Sequence, residues 1–149
     1  MSNQGKTADT LQDLLQKNYD AEAGFKEVMT KAQDANLKNW LKERAAQRNH
    51  FATELDKELH TMNAQTDTTT SWAADAHRAW INVKTALSSD KDESILEECI
   101  RGEEAAVEHY REALKGEALY GEVRQLVEKQ CASVEQTLSK VRRLEDIVG

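Results

Sequence analysis

The sequence predicts an all-α fold, and three of its features support this prediction. The chain has 149 residues and no proline, its charged fraction is 32%, and its aromatic fraction is only 5%. Its apolar residues recur at three- and four-residue steps, which is the spacing of one face of an α-helix. The length fits one domain. We therefore expect a flexible N-terminus at residues 1–7 and a single helical domain at residues 8–149.

The first two helices are predicted to form an antiparallel pair. The first helix covers about Ala8 to Ala32, and short polar residues at Gln33–Asn36 end its pattern and are suited to cap the next helix. The second helix continues to about Met62. Its apolar stripe consists of Leu37, Leu41, Ala45, Ala52, Leu55, Leu59 and Met62.

The second half of the chain predicts a long connection and a second pair of helices. Residues 63–71 are rich in side chains that bond their own backbone, so they form the crossover loop. An amphipathic pattern from Trp72 to Leu87 predicts a short extra helix. The next long helix begins near Ser94, where Ser94 and Glu97 have the spacing of a capping box, and a turn at residues 116–121 precedes the final helix.

Two pairs of helices joined by a long crossover are the topology of a ferritin-like four-helix bundle. A plain up-down bundle is the alternative. The net charge of −7 argues against nucleic acid and anionic lipid as partners, because both carry negative charge. No apolar run approaches the roughly 20 residues of a membrane helix, so we expect a cytoplasmic protein.

Polar residues within the apolar stripes indicate a candidate site. Glu22 on the first helix and Glu103 on the third long helix occupy inward-facing steps, and an isolated buried carboxylate is costly unless it is paired, protonated or bound to a metal. The neighbouring glycines, Gly24 and Gly102, suggest close packing or room for a ligand.

Reflecting positions through the predicted turns places further polar residues near these acids. Gln47 lies level with Glu22, and His50 follows one turn later, where a di-iron bundle would carry a Glu-x-x-His pattern. On the last helix, reflection places Glu103 level with about position 134, and the closest match there to Glu-x-x-His begins at Gln130. The same reflection separates Cys99 from Cys131 by about 10 Å, so we expect two free buried thiols.

Four segments resemble a known family. Arg78–Leu87 and Cys99–Val107, together with Asp20–Phe25 and Glu43–Arg48, are similar to the small bacterial ferritin-like family called domain of unknown function 2383. The resemblance implies the ferritin-like fold and an association with bacterial stress responses, but no established reaction. It also implies a glutamate at the position of Gln47, and this departure weakens a two-metal site.

Two hypotheses from different classes follow. In the first, Glu22, Gln47, His50, Glu103 and Gln130 bind iron, or manganese or zinc, for storage, sensing or oxidation of the ion. In the second, the protein is a non-catalytic bundle with a degenerate metal site, in which a buried acid is satisfied by residues such as Arg44, Arg48, Gln47 or Gln130. This bundle acts through its surface as a structural or interaction protein. A homodimer is the expected assembly.

Overall fold

The fold is all-α, as predicted, in a computed structural model that describes residues 3–64 and 91–148. Its helices in these ranges are α1 (Asn3–Met29), α2 (Ala35–Thr61), α3 (Lys91–Lys115), α4 (Gly121–Lys140) and α5 (Glu145–Val148). The predicted short helix at 72–87 and nearly all of the predicted crossover loop lie outside the described residues.

Helix α1 begins earlier than the sequence suggests. It starts at Asn3, so Asn3 to Thr7 are helical where a flexible N-terminus is predicted. Thr7 is 3% exposed, and its hydroxyl donates a hydrogen bond to the carbonyl of Ala118, between α3 and α4. This long-range contact attaches the N-terminal part of α1 to the segment between α3 and α4. The helix ends at Met29, three residues before the predicted end at Ala32.

The turn between α1 and α2 is held by two aspartates. Oδ1 of Asp34 accepts from the backbone N–H of Leu37 at 2.9 Å and caps α2. The carboxylate of Asp92, in the first turn of α3, accepts from the backbone N–H groups of Gln33 at 2.8 Å and Asp34 at 2.9 Å. The start of α3 is therefore attached to the connection between α1 and α2.

The long helices pack as two pairs around a common core. α1 packs most extensively on α2, α3 packs on α4, α1 also contacts α3, and α5 packs on α2. Both cysteines are buried and free, as predicted. Trp40 packs edge-on against Phe25, with ring centroids 6.4 Å apart. Within residues 3–64 and 91–148, no helix has the length and apolar character needed to cross a membrane.

Candidate functional site: a buried ion pair and an adjoining cavity

A buried ion pair lies between α2 and α3. Nη2 of Arg48 donates to Oε1 of Glu103, and the two side chains are only 2% and 1% exposed. A charge buried this deeply is costly unless an opposite charge compensates it. The prediction that Glu103 points inward is confirmed, and its partner is a cation that the protein itself supplies.

A second guanidinium lies near the ion pair. Arg44, one turn before Arg48 on α2, lies 5.8 Å from the ring centroid of Trp40 and donates from Nη1 to Oγ1 of Thr137 at 2.7 Å. Burial lowers the pKa of Arg44, while the nearby carboxylate of Glu103 opposes this shift. Glu103 thus lies in the field of two cationic side chains, which disfavours the approach of a further cation.

A chain of hydrogen bonds connects the four long helices. Nδ2 of Asn18 on α1 donates to the hydroxyl of Tyr110 on α3 at 3.0 Å, and this hydroxyl donates to Oε1 of Gln130 on α4 at 2.7 Å. Nε2 of Gln130 donates to the carbonyl of Phe51 and to Oε1 of Glu54 on α2, both at 3.2 Å. Burial raises the pKa of Tyr110 to about 12, so its hydroxyl stays protonated and able to donate.

A cavity of about 240 Å³ adjoins the ion pair and opens between α1 and α3. Arg48, Glu103 and Asn18 contribute polar groups to its wall. In the part of the chain that the structure describes, Nε of Arg48, Oε2 of Glu103 and Oδ1 of Asn18 are buried without a hydrogen-bond partner. The rest of the wall is apolar over most of its surface, with Leu14, Ala21, Phe25 and Ala106, and it also includes the side chains of Lys17, Asp20, His109 and Tyr110.

Glu22 lies in a different environment from Glu103. Its side chain is 12% exposed; Oε1 accepts from Nδ2 of Asn49 at 3.2 Å, and Oε2 pairs with Nζ of Lys26 at 2.9 Å. Lys26 itself is 61% exposed, so Glu22 is at the margin of the core. The two acids that the sequence singles out are therefore each bound to different partners.

The other predicted site residues are also distributed over different surroundings. The side chain of His50 is 71% exposed, and its Nε2 lies 3.7 Å from Oε2 of Glu54. Gln47 lines a separate cavity between α2 and α4, and Gln130 belongs to the hydrogen-bond chain of Tyr110. Among the described residues, no group of three or more His, Cys, Asp or Glu side chains has an arrangement that could hold a metal ion.

Arg48 is central to this ion pair, although in the sequence it is only one of several possible partners for a buried acid. A signal for it was present, because the apolar stripe of α2 passes from Ala45 to Ala52 and lacks a member at the intervening step. Position 48 lies three residues after Ala45 and four before Ala52, so it occupies the inward face. A charged residue at this step predicts an opposite charge on a facing helix.

Comparison with protein-family models gives one assignment. The model described as domain of unknown function (DUF2383) matches residues 6–116, which include nearly all of α1 and the whole of α2 and α3. A search of curated proteins found no match to the chain. The matched region contains both members of the ion pair and all the residues that line the adjoining cavity.

Proposed function

The chain belongs to the DUF2383 family, and we propose that it is a non-catalytic, ferritin-like four-helix bundle that serves as a structural or interaction protein. In this proposal, internal side chains occupy the centre where a metal-binding bundle would hold its ion. The pairing of α1 with α2 and of α3 with α4 supports the bundle. An association with stress responses and assembly as a homodimer stay predictions.

The observation that carries the proposal is the guanidinium of Arg48 on the carboxylate of Glu103. A divalent ion bound to Oε2 of Glu103 would lie beside this guanidinium on the same carboxylate and would face Arg44 nearby. Arginine stays protonated in proteins, so no change of pH would remove the competing charge. Gln130 adds to this argument, because its amide is already used in hydrogen bonds to Tyr110 and Glu54.

Metal binding is the second candidate, and one observation favours it. Oε2 of Glu103 and Oε1 of Gln47 are buried oxygens without a hydrogen-bond partner in the described ranges. Such oxygens are ligands that iron, manganese or zinc accept. The two residues line different cavities, however, so binding one ion through both would require a rearrangement of α2.

Elemental analysis of the purified protein distinguishes the two candidates. We expect no stoichiometric iron, manganese or zinc, either as purified or after ferrous iron is added in air. Stoichiometric metal that Glu103→Gln or Glu22→Ala removes would contradict the structural proposal. Lys26→Ala is the control for Glu22→Ala, because it changes the same surface ion pair without removing a possible ligand.

A further inference from the structure

We propose that the cavity between α1 and α3 is a binding site for a small neutral molecule with an apolar body and a polar head that both donates and accepts hydrogen bonds. A primary carboxamide or a phenol has this chemistry. The site adds a ligand-binding property to the structural role proposed above and does not depend on it.

The size and lining of the cavity indicate the size and character of the apolar part of the ligand. A cavity of about 150 Å³ holds a benzene molecule, and this cavity measures about 240 Å³. One aromatic ring with a small polar substituent therefore fits. The wall contributed by Leu14, Ala21, Phe25 and Ala106 is apolar, which is the usual character of a ligand pocket with a few fixed polar groups.

The buried polar atoms without partners indicate which polar group the ligand carries. Oε2 of Glu103 and Oδ1 of Asn18 can each accept a hydrogen bond, and Nε of Arg48 can donate one. All three residues line the cavity and are at most 2% exposed. A carboxamide carries both N–H donors and a carbonyl acceptor, so it matches both kinds of polar atom that the described residues of this wall leave unpaired.

The charge of the site argues for a neutral head. Arg48 and Glu103 neutralise each other, and Lys17 and Asp20 on the cavity wall carry opposite charges. A charged head would therefore gain little net attraction and would lose its hydration on entry. An anionic head would also approach the carboxylate of Glu103. The structure thus favours benzamide over benzoate, although the two molecules have nearly the same shape.

Gly102 forms part of the cavity wall and supplies a way to close it. A Cβ atom built at Gly102 meets no atom within 4 Å, so the backbone of α3 at this position has room for a side chain to begin. Ala106 lines the same cavity one turn later and is half-buried. Leucine at either position would fill space that the ligand needs, while leaving the ion pair in place.

The test is a titration of the full-length protein with phenol, benzamide and benzoate, followed by amide chemical shifts in ¹⁵N-labelled protein. We expect saturable shifts in α1 and α3 near Phe25 and Ala106 with phenol and benzamide. Benzamide should bind at least about tenfold more tightly than benzoate. Saturable shifts confined to other helices, or no saturation with either neutral probe, would overturn the proposal.

Cavity-filling variants complete the experiment. Gly102→Leu and Ala106→Leu should each weaken benzamide binding at least about tenfold, whereas Gly116→Leu should not. Gly116 is the matched control because it lies beyond the end of α3, outside the cavity wall, and a Cβ there meets only Ala118 N at 4.0 Å. Unchanged binding in both cavity variants would overturn the assignment. Equal affinity for benzoate and benzamide would overturn the neutral head.

Discussion

Arg48 determines the chemistry of the protein's centre through one contact. Its guanidinium is buried with the carboxylate of Glu103 and lies 6.0 Å from the ring centroid of Phe25. A buried ion pair is not by itself a source of net stability, since both charges lose their hydration. Each charge nevertheless compensates the burial of the other, so the effects of substituting the two residues on the free energy of unfolding should not be additive.

Removing one member of the pair should destabilise the protein more than removing both. Arg48→Met leaves the charge of Glu103 without a partner, and Glu103→Leu does the same to Arg48, so each should lower the free energy of unfolding by about 3–5 kcal/mol. The double variant should recover most of this loss, since buried ion pairs are replaced by apolar residues at little cost. Urea unfolding of the four proteins measures the coupling.

The control for this cycle is an exposed ion pair that also joins two helices. Nη2 of Arg111 on α3 lies 3.0 Å from Oε2 of Glu135 on α4, and the two side chains are 61% and 44% exposed. Arg111→Met should change the free energy of unfolding by less than about 1 kcal/mol. Strictly additive effects of Arg48→Met and Glu103→Leu would show that the two charges do not compensate each other.

At the scale of the elements, Asp92 joins parts of the chain that are far apart in sequence. It lies in the first turn of α3, where a negative charge is favourable at the helix N-terminus. Its carboxylate accepts from two backbone N–H groups of the turn between α1 and α2. One side chain therefore stabilises the start of a helix and the connection between two others.

Asp92→Ala should lower the free energy of unfolding by about 1–3 kcal/mol, because two backbone donors lose a charged acceptor. Asp92→Asn should cost less, since its amide oxygen can still accept one of the two bonds. Glu97→Ala is the matched control, because Glu97 is an exposed acid on the same helix and should change stability by less than about 0.5 kcal/mol. An equal effect of Asp92→Ala and Glu97→Ala in urea unfolding would contradict this role.

The sequence pattern predicts the faces of the elements better than their ends. The inward position of Glu103 follows from its place in an apolar stripe, and Glu103 is buried. The start of α1 is not predictable in this way, since it depends on the contact of Thr7 with Ala118, 111 residues away. Such a contact leaves no trace in a local pattern.

The partners within the site are predictable only in part. Reflection through the first turn places Glu22 level with Gln47, and Glu22 in fact contacts Asn49, so the depth estimate is accurate to about half a turn. The reflection does not determine on which face of the helix a residue lies. Arg48 and His50 are two residues apart and so point about 200° from each other, and only Arg48 faces the centre.

At the scale of the whole molecule, the polar contacts make the four long helices depend on one another. The ion pair connects α2 with α3, and the hydrogen bonds of Tyr110 and Gln130 connect α1, α3, α4 and α2. Opening any one helix would leave buried polar groups in the others without partners, which is costly. We therefore expect the described helices to unfold as one cooperative unit.

The two free thiols report directly on this cooperativity. Burial raises the pKa of Cys99 on α3 well above its ordinary value. Burial, and then a hydrogen bond to Glu135, raise the pKa of Cys131 on α4 to about 11. Only thiolates react with aromatic disulfide reagents, so at pH 8 both cysteines should label through the unfolded protein, with the same free energy of opening as urea unfolding gives. Single Cys99→Ser and Cys131→Ser variants separate the two signals.

The pH dependence of labelling follows from the raised pKa of the folded thiol. A thiol that reacts only after unfolding has a pKa of about 8.5 in the unfolded chain, so its labelling rate should keep rising above that pH for as long as the folded thiol stays protonated. The raised pKa favours the protonated thiol in the folded state, so its contribution to stability is complete below about pH 8.5 and is lost as the pH rises towards about 11. Faster labelling of one cysteine at pH 8, with a lower free energy of opening, would mean that α3 or α4 opens independently of the others.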